Sequence, residues 1–121
     1  MAFPGTYNFN YYRGDSLQFV IRPKTSSGAA FDLTDFLGGG SFVIANRRGS
    51  LGVQTEATAT VDDTTNIVTC TITPTIGRTL AAGTYLYDVE ISNDEEYGNA
   101  LIYTLLTGTI TVTDDITGAV A

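Results

Sequence analysis

Apolar and polar residues alternate with a period of two from one end of this sequence to the other. No stretch longer than about eight residues sustains the 3.6-residue period of a helix. Successive side chains of a strand point to opposite faces, so such a chain folds by laying half-buried strands over a shared core. The expected fold is all-β. Tyr7, Phe9 and Tyr11 alternate with Asn8, Asn10 and Tyr12 until Arg13-Gly14-Asp15 breaks the run, and Leu17, Phe19 and Ile21 then alternate with Gln18 and Arg22 up to Pro23. These read as two strands with a corner between them. Lys24-Thr25-Ser26-Ser27-Gly28 is a polar turn, Phe31-Asp32-Leu33-Thr34 is a short apolar pair, and Gly38-Gly39-Gly40 leaves register weakly specified.

Phe42 and Ile44 define one face of the next strand, which ends at Arg47-Arg48-Gly49-Ser50. Thr55, Ala57, Ala59 and Val61 define the inner face of another, their small size marking a tight spot. After the turn Asp62-Asp63-Thr64-Thr65-Asn66, the residues Val68, Cys70 and Ile72 alternate with threonines until Pro74, so the two runs form a hairpin. Pro74 to Leu80 is the single helical turn expected, with Ile76 and Leu80 on one side. Tyr85, Tyr87, Val89 and Ile91 alternate with Leu86, Asp88, Glu90 and Ser92, and the polar segment Asn93 to Asn99 turns this run into the long strand Ala100 to Val112. There Ile102, Thr104, Leu106, Gly108, Ile110 and Val112 share the core parity. Leu101, Tyr103 and Leu105 make the opposite face apolar as well, and that face needs a cover.

The count is about seven to eight antiparallel strands at the spacing of two packed sheets, an immunoglobulin-like β-sandwich with an extended N-terminal arm. Residues 1–10 read as the arm, 11–113 as the sandwich and 114–121 as a C-terminal tail.

A chain of 121 residues is the size of one domain and long enough to bury a core without disulfide or metal. Its net charge of −7 sets it against a phosphate backbone, so nucleic acid is not an expected partner. No apolar run is long enough to span a bilayer, and Met1-Ala2-Phe3-Pro4-Gly5 has the form of no export signal, so a soluble chain with no membrane partner is expected. The absence of His removes the commonest general base and transition-metal ligand. Cys70 lies between threonines in a β-like run and reads as a small core residue. Without a nucleophile–base pair or organised carboxylates, no enzyme activity, catalytic residue, cofactor or metal site is expected.

Arg13-Gly14-Asp15 is the tripeptide displayed by integrin ligands, but Arg and Asp around Gly are also ordinary turn chemistry, which is the reading taken. Asp94-Glu95-Glu96 and Asp62-Asp63 lack the alternating spacing of a calcium loop and read as solvated turns. Asp114-Asp115 follow the last strand, where acidic residues keep an edge from pairing. The feature left over is aromatic and apolar surface. Tyr7, Phe9, Tyr11 and Tyr12 crowd the N-terminus, and Leu101, Tyr103 and Leu105 line the second face of the last strand. They form either a second core layer or an assembly interface, and these seven are the candidate interface residues.

Several segments resemble the immunoglobulin-like module at the amino terminus of phage baseplate upper proteins and small virion proteins of tailed phages, including cyanobacterial ones. The residues that carry it are Arg13-Gly14-Asp15-Ser16-Leu17, Phe31-Asp32-Leu33-Thr34 after Ser27-Gly28, Ser41-Phe42-Val43-Ile44, Leu80 to Tyr85, and Thr104 to Val112. The resemblance implies a virion protein of the tail or baseplate, in symmetric copies, with other virion proteins as partners. Those baseplate proteins continue into a receptor-binding or fibre-attaching region, whereas the 121 residues here end shortly after the module, so the expectation carried over is limited to assembly. A capsid decoration protein would share fold and arm. A carbohydrate-binding sandwich with sugars stacked on exposed tyrosines such as Tyr103 is the alternative of another class. The arm is expected to contact neighbouring subunits, where it could add a strand to a sheet edge.

Overall fold

The alternating runs become eight strands in the computed structural model, which describes residues 4–46, 54–93 and 102–114. They are β1 (Gly5–Thr6), β2 (Phe9–Tyr12), β3 (Leu17–Ile21), β4 (Gly40–Ala45), β5 (Gln54–Asp62), β6 (Ile67–Ile72), β7 (Gly83–Ser92) and β8 (Ile102–Thr113). The sheet order is β1-β8-β7-β4-β5-β6-β3, with β2 also on β8, and the curled sheet brings side chains of its two ends into contact, Phe9 on β2 with Phe19 on β3. One layer holds β1, β2, β8, β7 and β4, and the other holds β5, β6 and β3. β5 joins them, because its first half pairs with β4 and its second half, from Thr58, with β6. β3-β6-β5 facing β4-β7-β8 is the strand arrangement of an immunoglobulin-like sandwich.

Two local features belong to that fold. The Tyr85 hydroxyl, at the start of β7, donates to the Ala81 carbonyl at 2.7 Å, the corner in which a tyrosine bonds back to the chain just before its strand. Phe19 on β3, Phe42 on β4 and Tyr87 on β7 pack edge to face, with Phe42 centred 5.7 Å from Phe19 and 5.6 Å from Tyr87. This ring cluster ties the two layers together through the core.

The predicted inner residues are inside. Phe42, Ile44, Val61, Val68, Cys70, Ile72, Tyr87, Val89, Ile91, Ile110 and Val112 are all buried, and burial alternates along β6 and β7 as the sequence does. Each fully buried large side chain contributes roughly 1.5 to 3 kcal/mol. The tight spot is real: a Cβ on Gly40 would lie 2.6 Å from the Ala59 carbonyl oxygen. The expected helical turn is α1 (Pro74–Gly77), started by Thr73, whose hydroxyl accepts from the Ile76 amide.

Four expectations are corrected. The strands are not all antiparallel: β1 and β2 run parallel to β8, Gly5 opposite Leu106 and Tyr11 opposite Val112. Pro74 to Leu80 is not the only helical segment, since Thr34–Phe36 forms a 3₁₀ turn. The segment expected to reach out as an arm is paired within its own chain from Gly5 onward. The parity of β8 also switches. Val89 pairs with Leu106 but Glu90 pairs with Thr104, so Leu105 is the extra residue of a β-bulge. Beyond it Tyr103 and Leu105 turn inward and Ile102 turns out, 63% exposed. Their cover comes from the β3–β4 connection, whose Phe31 and Phe36 rings lie 5.8 and 5.9 Å from Tyr103. That connection is held where the Leu33 amide donates to Asn66 Oδ1 at 3.0 Å and the Ser92 amide to the Gly39 carbonyl at 3.0 Å.

Candidate interaction surface at the seam between the sheets

Where the curled sheet meets itself, β1 and β2 face β3 across a seam. Each of these strands pairs on one side only among the described residues, β1 and β2 with β8, β3 with β6. Rings close the middle of the seam. Tyr7 stacks on Phe9 with centroids 5.3 Å apart, and Phe19 meets Tyr7 edge-on at 5.9 Å and Phe9 at 5.5 Å. Phe9 also touches Tyr87 at 5.4 Å, which links the seam to the core cluster. The outward side of this row is uncharged, with Tyr7 47%, Tyr12 57% and Val20 39% exposed among exposed Thr6, Asn8, Asn10 and Gln18.

At its β1 end the seam opens into a cavity of about 240 Å³. Gly5 and Leu106 wall one side, Ile21 and Pro23 the other, buried Leu105 also lines it, and the exposed Arg22 and Lys24 complete it. Pockets for small molecules run to roughly 300 to 1,000 Å³, so this one is sized for an aliphatic side chain or two. A second depression, of about 190 Å³, lies on the outer face of β4, β5 and β7, beside Asp88 and Glu90. Among the described residues no group of three or more His, Cys, Asp or Glu converges as a metal site.

Of the seven candidate residues, Tyr7 and Phe9 meet in the seam, and exposed Tyr12 lies at the far end of β2. Tyr11 is buried: its hydroxyl rests on Gly77 of α1 and donates to the Asp15 carbonyl at 2.6 Å, and burial raises its pKa. Leu105 is buried too, and Tyr103 is partly buried with its ring against Phe31 and Phe36. These three present core surface, which is the other reading the sequence left open. Leu101, the acidic turn Asp94-Glu95-Glu96 and Arg47-Arg48 lie outside the described residues. Phe19, Val20, Ile21, Arg22 and Lys24 were not singled out. The signal for them is that Met1 to Tyr12 and Ser16 to Ile21 contain no charged residue, although the chain has 19.

The other candidates resolve by geometry. Gly14 has φ 88° in a turn closed by the Asp15 amide on the Tyr12 carbonyl, and Arg13 Nη2 donates to the Arg78 carbonyl at 2.8 Å, at the end of α1. The tripeptide thus serves as a corner, with its arginine turned onto its own chain. Asp62 accepts from the Thr64 amide at 2.8 Å, which makes its turn self-contained. Cys70 is fully buried, and burial pushes its thiol up to about 12, so it is neutral and unreactive at ordinary pH.

No family model matches the chain. No curated protein matches it either. Among solved structures it is similar to AggA, the major subunit of aggregative adherence fimbriae type I from Escherichia coli, at 11% identity and a TM-score of 0.37, over 88% of this chain and 89% of that one. A likeness of that size transfers no role.

Proposed function

We propose that this chain is a non-enzymatic structural subunit of a tailed-phage virion, in the tail or baseplate, present in symmetric copies and bound to other virion proteins. The observation that carries the assembly part is the seam. Natural sheets blunt their free edges with charge, proline or a covering loop. Among the described residues, β1, β2 and β3 leave two edges side by side with no charged side chain on them, and Tyr7, Tyr12 and Val20 stand exposed along them. On a chain of charge −7, an uncharged edge is where another subunit can approach without bringing carboxylates together. The virion setting is supported by the sequence resemblance, and the non-enzymatic reading by the absence of His together with the burial of Cys70. A capsid decoration protein would use the same surface on a shell lattice.

Imaging of intact particles, together with a Tyr7→Asp/Tyr12→Asp/Val20→Asp chain, tests this. The expected result is a fixed number of copies at one symmetric location and a variant that folds but is left out of particles. Particles that lack the chain, or that take up the variant at the parent level, would refute the proposal.

A further inference from the structure

We infer that the cavity at the β1 end of the seam, with the edge of β3 that is unpaired among the described residues beside it, receives the Asp114-Asp115-Ile116 segment of a second copy. This rests on the assembly reading and names its contact. An added strand bonds through its main chain to a free edge and gains specificity by seating a side chain in a pocket. β3 offers the edge and the cavity the pocket, with space for one aliphatic side chain and two cations, Arg22 and Lys24, beside it. The fitting occupant is an extended segment with carboxylates next to an aliphatic residue.

In this chain most acid–aliphatic neighbours are already committed. Leu33 beside Asp32, Val61 beside Asp62, and Val89 and Ile91 beside Glu90 are buried in the core. Asp114-Asp115-Ile116 has the required composition, and Asp114 is exposed directly after β8. The cavity of its own molecule lies farther from Thr113 than three residues span. Leu106 lies opposite Gly5 at the cavity and Thr113 opposite Tyr12, seven positions along the strand or about 23 Å away. From Thr113 to Ile116 the chain spans at most about 11 Å. The contact is therefore between copies, tail of one to seam of the next, an association that propagates into a ring or a stack.

The test uses the full chain, a chain ending at Asp114, an Arg22→Glu/Lys24→Glu chain, and a peptide of residues 111–121. Expected are concentration-dependent self-association of the full chain in sedimentation equilibrium and its loss in the shortened chain. The shortened chain should bind the peptide, and the charge-reversed full chain should associate at least about fivefold more weakly with an unchanged melting temperature. Self-association of the shortened chain at the parent level overturns the inference. So does a full chain that stays monomeric with no peptide binding, or association indifferent to the reversal. Incorporation into particles is read separately, through the Tyr7→Asp/Tyr12→Asp/Val20→Asp chain, so either proposal can fail alone.

Discussion

The Tyr87 phenol donates a 2.6 Å hydrogen bond to the Tyr7 carbonyl, joining two residues 80 positions apart. Tyr87 is a core residue, and burial, then the neighbouring Tyr7 and Cys70, raises its pKa, so the phenol stays a donor well into alkaline solution. The bond clamps the link between β1 and β2, where Gly108 lies so close to the Tyr7 carbonyl that a Cβ would collide with it. Tyr87→Phe keeps the ring and removes the donor, at an expected cost of about 1 to 2 kcal/mol. The Tyr7 amide, bonded at 3.0 Å to the Thr107 carbonyl, should then exchange hydrogen faster while Val89 does not. Equal protection of the Tyr7 amide in both chains would show that the clamp is redundant.

Removal of residues 1–10 takes away β1, half of β2 and the Phe9 ring, which touches Tyr7, Phe19 and Tyr87. Phe9 is only half-buried, so its share falls below the roughly 3 to 5 kcal/mol of a fully buried phenylalanine, but the parallel pairing with β8 goes as well. The shortened chain should melt about 10 to 20 °C lower, corresponding to about 3 to 5 kcal/mol. Phe9→Ala alone should account for about half of that in a urea titration. A truncated chain with the parent's melting temperature would mean that the N-terminal segment adds nothing to the fold.

The strands with clean alternation were legible because one buried face imposes one parity: β6 and β7 are buried at Val68, Cys70, Ile72, Tyr87, Val89 and Ile91, as expected. β8 was not, because its bulge at Leu105 falls where both parities are apolar and a shift of one residue leaves no trace in the pattern. Its cover by Phe31 and Phe36 depends on a loop docking across the fold, which no local period records. The parallel place of β1 and β2 was hidden by Asn8, a poor residue for a central strand. Asn8 sits in the break between them, its Oδ1 accepting from the Thr109 amide at 3.0 Å in place of a backbone carbonyl. Of the seam, the aromatic half was visible as crowded rings. Arg22, Lys24 and the cavity were not, since they come together only when the sheet curls.

Gly77 and Tyr11 form a second contact open to a direct test. A Cβ on Gly77 would overlap the Tyr11 hydroxyl, and Tyr11 is held in place by its bond to the Asp15 carbonyl. Gly77→Ala should therefore cost about 1 to 3 kcal/mol by overpacking, despite alanine's better helix propensity. In the background of Tyr11→Phe, which removes the colliding oxygen, the same substitution should cost at least about 1 kcal/mol less. Gly28→Ala serves as the comparison: φ is +89° with nothing within 4 Å, so only backbone strain of about 1 to 2 kcal/mol applies, indifferent to Tyr11. Additive effects of Gly77→Ala and Tyr11→Phe in denaturation would rule out the contact.

Alkaline solution should unfold this protein stepwise. Burial pushes the Cys70 thiol up to about 12 and raises Tyr11 and Tyr87 above an ordinary phenol. In the unfolded chain the thiol ionises near about 8.5 and the phenols near about 10. The unfolded state thus sheds protons first, so the stability these groups contribute is complete below pH 8.5 or so and is lost as pH rises toward their folded values. Each contributes a slope of at most about 1.4 kcal/mol per pH unit, Cys70 first and the two tyrosines from about pH 10. Acid works in the opposite sense and elsewhere. The Thr34 hydroxyl and amide hold the exposed Asp32 carboxylate below its usual range, so its small contribution is present at neutral pH and is lost as pH falls through that lowered value. Urea midpoints between pH 7 and 11 should fall from about pH 8.5 in the parent. In Cys70→Ala, less stable throughout because of its cavity, the curve should stay flat until about pH 10 and then drop. Parallel curves for the two chains from pH 8.5 to 10 would show that Cys70 is not the group that ionises first on unfolding.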